Sequence, residues 1–301
     1  METIDMCGYP ITAGIEFSKD GDELVLKLNK NSLLSNMQSN QSAFEGWSLC
    51  LFANADGRYR RIKIEWVPLN KRELTHPELG HYYRFLFRAY KFKENYPAIV
   101  EIQPAIESFL DIDEMKLWVL NFPKCEAKES KKDNEGSEAL LERELLQKMI
   151  GHFDYCDQQL PVGLFLNEVK DAFARSTGKK SQIDLWGVKD NMLNIYELKN
   201  DVNEAVGIIS ELMFYTNVME NFRRHIFNYP SSFDNKRVFY RHSKELHEDI
   251  VNNSISAVNG IFLANNLHPR ITNRVIDLMN TNIAGIRYSK LSVNDFKASL
   301  E

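Results

Sequence analysis

A charged stretch, CEAKESKKDNEGSEA (125–139), has no apolar periodicity and separates two parts of the chain whose hydrophobic patterns differ. Its composition is that of an exposed connection between domains. The 301 residues suffice to bury more than one core. The expected organisation is a β-rich domain over 1–124, a linker over 125–136 and a second domain over 137–301.

Before the linker the chain reads as strands. IEFSKDGDELVLKL (15–28) places a KDGD turn between two apolar runs, a hairpin signal. WSLCLFANADGRYRRIKIEWV (47–67) repeats the pattern around NADG, and HYYRFLFRAYKF, AIVEIQ and MKLWVLNF follow as further strands. SNMQSNQSAFEG (35–46) reads as a polar loop. Together they imply an antiparallel, β-rich N-terminal domain.

After the linker helices alternate with strands. SEALLERELLQKMIGHF (137–153) carries Leu141, Leu145 and Met149 at helical spacing. LPVGLFL, SQIDLWGV and MLNIYELK read as three strands, the last two joined by a KDN turn. NEAVGIISELMFYTNVMENF is a strong helix, then AVNGIFLAN a strand, HPRITNRVIDLMNTN a helix and AGIRYSKL a strand. The fold class expected is therefore α+β and α/β, with an αβββαβ order in the second domain.

Charge and cysteine content narrow the function classes. The net charge is −5, and neither part is basic: 18 basic and 21 acidic residues precede position 136, and 19 and 21 follow it. Any nucleic-acid contact must then come from local patches, not bulk charge. Cys7, Cys50, Cys125 and Cys156 are widely spaced, which suggests neither a zinc site nor a disulfide framework. The seven histidines show no metal-ligand spacing. No apolar run is long enough for a membrane span, and the N-terminus lacks a signal-peptide pattern, so a cytoplasmic protein is expected.

The chemistry is concentrated in SQIDLWGVKDNMLNIYELKN (181–200). Asp184 opens one apolar strand, and Glu197-Leu198-Lys199 closes the next. Period-2 geometry puts Glu197 and Lys199 on one face. The tripeptide alone is unspecific, since acid-x-Lys recurs at Glu114, Glu126, Glu129, Glu168 and Asp295. A strand-end ion pair would need the same residue types. Two carboxylates from adjacent strands would also supply hard oxygen ligands for Mg²⁺ or Mn²⁺. Such a cation polarises a phosphodiester, and the neighbouring lysine can orient water or offset developing charge.

These residues resemble the motif of the PD-(D/E)XK nuclease superfamily: Ile183-Asp184 followed by Glu197-Leu198-Lys199. The resemblance covers about 137–290. It implies a restriction-endonuclease-like αβββαβ domain and a metal-dependent endonuclease acting on nucleic acid, DNA above all, in repair, restriction or defence. Asp184 and Glu197 would bind the metal, and Lys199 would act at the attacking water. The family often adds an acid from the first helix. Glu138 and Glu142 lie within the apolar arc of that helix and Glu144 outside it, which favours Glu142 with Glu138 as an accessory. Duplex cleavage would favour a homodimer. A non-catalytic binding or adaptor protein keeping the same fold is the alternative.

Further candidates are softer. Glu211 and Tyr215 lie one helical turn apart, at the place of the Gln-x-x-x-Tyr of the RecB-like branch, with Glu in place of Gln. Arg175, Lys179 and Lys180 precede Asp184, where a backbone phosphate would approach. In the strand reading of 81–92, Arg84 and Arg88 alternate with tyrosines on one face, and Arg61 and Lys63 share a face of RYRRIKIEW. That interleaving suits nucleic-acid stacking and also an ordinary half-exposed sheet.

Overall fold

The computed structural model describes residues 2–3, 14–122, 137–177, 181–202, 205–229, 242–281 and 283–301. The expected linker and the pair Lys179 and Lys180 lie outside them. The chain is mixed α/β, and by contact it forms two compact units, neither a single stretch. The first comprises Met1–Ile112, Glu204–Glu211 and His268–Ala284; the second comprises Asp113–Asn203, Leu212–Leu267 and Gly285–Glu301. Among the described residues no helix is long and apolar enough to cross a membrane.

The first unit contains β1 (Glu2–Thr3), β2 (Ile15–Asp20), β3 (Glu23–Leu28), α1 (Lys30–Leu34), α2 (Phe44–Ala53), β4 (Arg61–Trp66), α3 (His76–Asn95) and β5 (Val100–Gln103). Its sheet runs β1-β2-β3-β4-β5. The KDGD hairpin forms as expected, with Asp20 opposite Glu23 and Gly21 at φ +59°. The sheet is not antiparallel throughout: β3/β4 and β4/β5 are parallel pairs. Parallel neighbours need crossovers, and the helices between these strands supply them.

Two segments expected as strands are helices. Residues 47–52 lie in α2, which is buried almost all round and so shows no amphipathic period. Residues 81–92 lie in α3. Its start is marked by Pro77 in the first turn and by Glu78, whose carboxylate accepts from the Thr75 N–H (2.9 Å) and hydroxyl (2.7 Å). Buried Tyr82, Phe85, Leu86, Ala89 and Phe92 follow helical spacing. The NADG turn connects α2 to β4 and closes no hairpin.

The second unit holds β6 (Trp118–Leu120), α4 (Ser137–Met149), β7 (Tyr155–Pro161), β8 (Leu164–Leu166), β9 (Gln182–Lys189), β10 (Met192–Val202), most of α5 (Gly207–Arg223), α6 (Ser243–Val251) and β11 (Ala257–Asn266). After α7 (Asn273–Met279), which clusters with the first unit, β12 (Ile286–Leu291) and α8 (Val293–Ser299) complete it. The principal sheet runs β12-β11-β10-β9-β7, antiparallel from β7 to β10 and parallel from β10 to β12. Leu145, Leu146 and Met149 of α4 pack with Cys156, Leu185, Tyr196, Leu198 and Phe296. On β11, a Cβ at Gly260 would come within 2.8 Å of the Thr216 methyl, so glycine permits this close helix–sheet approach.

Candidate functional site

The β9–β10 hairpin is built around Asp190 and Asn191, both left-handed (φ +52° and +59°), a two-residue turn that suits the strand twist. The turn fixes the register: Met192 faces Lys189, and the pairing continues to Tyr196 and Leu185. The pairing ends there, one residue short of Glu197 and Asp184. The Asp184 carboxylate accepts the Leu198 N–H at 3.0 Å, so it is tied to the backbone between Glu197 and Lys199.

Glu197 is 1% exposed, and its Oε1 accepts from the Lys199 ammonium at 2.7 Å. Lys199 also lies 3.7 Å from Glu138 of α4. Two residues apart on one strand, Glu197 and Lys199 meet on one face, as the sequence reading required. Glu138, by contrast, is nearly half exposed, whereas Glu142 is only 7% exposed. Glu144 points elsewhere and pairs with Lys297 at 2.7 Å.

Glu142 has a perturbed proton affinity. Burial pushes its carboxyl above the usual glutamate range; the Gln159 hydrogen bond opposes this, Glu138 adds to it and Lys199 offsets it. Gln159 Nε2 donates to Glu142 Oε2 at 2.6 Å. Gln159 itself was not marked by the sequence. It lies within β7, in a left-handed conformation (φ +54°), between the pairs Gln158–Leu185 and Leu160–Ile183. That places it at the level of Asp184. A left-handed φ costs an ordinary residue about 1–2 kcal/mol and leaves no trace in composition. The polar run DQQ (157–159) also hid β7, since the sequence reading began this strand at Leu160.

Asp184, Glu197, Lys199, Glu138, Glu142 and Gln159 thus belong to one unit and to four elements, β9, β10, α4 and β7. Among the described residues no three acidic, histidine or cysteine side chains are grouped so as to hold a metal ion.

The remaining candidates have other surroundings. Arg88 is not on an open sheet face: it is buried, its guanidinium donates to both Glu45 oxygens and to the Ser42 carbonyl (2.8 Å), and it lies over the Phe44 ring. Arg84 is also buried on α3, 2.9 Å from His81 Nδ1. The expectation that Arg84 and Arg88 meet nucleic acid is corrected, because the helix turns both inward. Arg175 is clasped by Glu114 at 2.7 and 3.1 Å, so its charge is already answered within the protein. Lys63 and Glu65 pair at 2.9 Å on β4, and Arg61 faces Glu101 at 4.0 Å, as in a solvated sheet face. Glu211 is buried in the first unit and accepts from the Gln38 amide, whereas Tyr215 is buried in the second.

Comparison of the chain with protein-family models, with curated proteins and with solved structures finds no match.

Proposed function

We propose that this protein is a metal-dependent nuclease of the PD-(D/E)XK type, hydrolysing phosphodiester bonds of nucleic acid, with DNA as its substrate. The observation that carries the reading is the end of the antiparallel β9–β10 pair, where the Asp184 carboxylate accepts the Leu198 N–H and Glu197 accepts from Lys199. The order α4, β7, β9, β10, α5, β11, interrupted by β8 of another sheet and by α6, supports it, as does a first-helix glutamate buried at an energetic cost.

The donor set suits a hard cation that keeps much of its shell as water and phosphate oxygen. Asp184 and Glu197 would offer two carboxylates, and Mg²⁺ characteristically uses few protein ligands. When bound, such a cation supplies Lewis-acid polarisation of the phosphodiester and a more acidic water. Lys199, held by Glu197, would orient the attacking water and offset charge on the pentacovalent phosphorus. Asp184 is anchored by the Leu198 N–H, which limits its motion when it binds.

A second reading, a non-catalytic nucleic-acid-binding or adaptor protein on the same fold, draws on the Lys199–Glu197 pair. At 2.7 Å it also satisfies a purely structural role. The deciding experiment is incubation of the full chain with plasmid, single-stranded DNA and RNA in Mg²⁺, Mn²⁺ or EDTA. Divalent-dependent cleavage abolished by EDTA is expected. Binding without cleavage under every condition favours the second reading, and cleavage undiminished by EDTA removes the metal mechanism.

A further inference from the structure

The NADG turn (54–57) closes no hairpin and instead forms one wall of a cleft in the first unit. The cleft has a volume of about 590 Å³, which falls within the range of small-molecule sites. Phe52 and Ala53 at the end of α2, the buried ring of Tyr59 and Leu278 of α7 give it an apolar floor. Its rim is charged, with Asp56, Arg274 and Asp277 all exposed.

The wall is fixed before any ligand arrives. The Asn54 amide donates to the Cys50 carbonyl at 2.8 Å and to the Arg270 carbonyl at 2.9 Å, and its oxygen accepts from the Thr272 hydroxyl. These bonds join the end of α2 to the residues that lead into α7. Asp56 and Gly57 are both left-handed, at φ +50° and +78°. Glycine adopts that backbone freely, whereas for Asp56 it is a strain held by its surroundings.

The charge of the rim is unbalanced. Arg274 is answered by its ion pair with Asp56. Among the described residues the Asp277 carboxylate and the Tyr59 hydroxyl have no hydrogen-bond or ionic partner. Helix α2 ends at Ala53 in the cleft, so the negative end of its dipole adds to the acidic excess. A free carboxylate, a helix C-terminus and aromatic rings all favour positive charge, and the apolar floor favours an organic body.

We propose that this cleft binds an organic cation, a protonated amine on an aromatic or aliphatic body, with the amine at Asp277 and the body on Phe52, Tyr59 and Leu278. Arg274 then opposes the ligand and does not hold it. The site lies wholly within the first unit and does not depend on the nuclease reading.

The test uses the full chain and three probes that share one body and differ in charge: phenethylammonium, phenethyl alcohol and hydrocinnamate. Binding is followed at low salt by ligand-observed nuclear magnetic resonance, with thermal melts as the folding control. The ammonium is expected to bind about fivefold more tightly than the alcohol, and the carboxylate more weakly than either. Asp277→Asn should weaken the ammonium by about three- to fivefold and leave the alcohol unchanged. Arg274→Ala should strengthen the ammonium by a similar factor, because it removes a like charge and releases Asp56. Both side chains are exposed, so neither change should lower the melting temperature. A preference for the carboxylate that Arg274→Ala abolishes would make Arg274 an anion receptor and overturn the proposal. Equal affinity for all three probes, or no binding of the ammonium at millimolar concentration, would also overturn it. A capped Phe-Lys dipeptide presents the same ring and cation on a peptide. Weaker binding than the free amine supports a small-molecule ligand, and tighter binding assigns the cation to a basic side chain of another protein.

Discussion

Glu45 in the first compact unit and Glu142 in the second are both buried glutamates, at 2% and 7% exposure, and their surroundings differ in kind. Glu45 accepts from two nitrogens of Arg88 and, at 2.7 Å, from the Ser210 hydroxyl. Arg88 in turn donates to the Ser42 carbonyl. Each charge there is answered by an opposite charge or a dipole, as a buried ion pair requires if it is to persist. Glu142 instead meets a neutral amide, with another carboxylate one helical turn away and burial raising its proton affinity. A buried acid that is answered supports a fold. A buried acid left at a cost is a candidate for function.

The sharpest way to break this contrast is to unbalance the first pair. Arg88→Ala strands a buried carboxylate, and about 3–5 kcal/mol of stability should be lost in chemical denaturation. A loss below 1 kcal/mol would mean that Glu45 finds water or a proton cheaply, and the two glutamates would then be alike. Next is Glu197→Gln, which removes a charge at the proposed catalytic level. Cleavage at saturating Mg²⁺ should fall about 100-fold, equivalent to roughly 2.7 kcal/mol, with little change in melting temperature. A variant that unfolds while its soluble fraction still cleaves would assign Glu197 to the fold.

The α4 acids give a graded series. Glu142→Ala should lower turnover about tenfold or more, Glu138→Ala a few-fold, and Glu144→Ala within about twofold, because Glu144 faces Lys297 on another side of the helix. If Glu144→Ala were the inactive variant, the site would lie elsewhere on α4.

The smallest effect concerns pH. The folded state raises the proton affinity of Glu142, so the protonated form is favoured by folding, and stability falls as pH rises through the raised value. Glu142→Gln should therefore stabilise the protein at pH 7 in EDTA. That gain should vanish below the ordinary glutamate range, where Glu142 is neutral in both states. A gain that persists unchanged into acid would contradict the burial cost.

The sequence was most legible where period and turn chemistry agreed. Strands β9 and β10 are short apolar runs joined by a polar turn at Asp190 and Asn191, and this sufficed to place Asp184, Glu197 and Lys199 near one another in the hairpin. Helix α2 was illegible because it is buried on almost every side, so its residues show no amphipathic period. In α3 the tyrosines and arginines mimic strand alternation, although Thr75, Pro77 and Glu78 together marked a helix start that outweighs it. Gln159 was invisible for a different reason, since a left-handed residue in a strand is a tertiary choice. The division into units was hidden too, because 204–211 and 268–284 cluster with a part of the chain far away in sequence.

That last arrangement bears on the order of events during synthesis. The first unit begins at the N-terminus and takes its final piece from 268–284. On a ribosome its sheet can be laid down early, yet Glu45 waits for Ser210, and the Asn54 side chain waits for the hydroxyl of Thr272, which bonds it at 2.8 Å in the finished protein. Domains usually fold in the order in which they emerge. Here the first unit is completed only after residues 204–211 and 268–284 have emerged, and until then Glu45 has Arg88 but lacks the Ser210 hydroxyl.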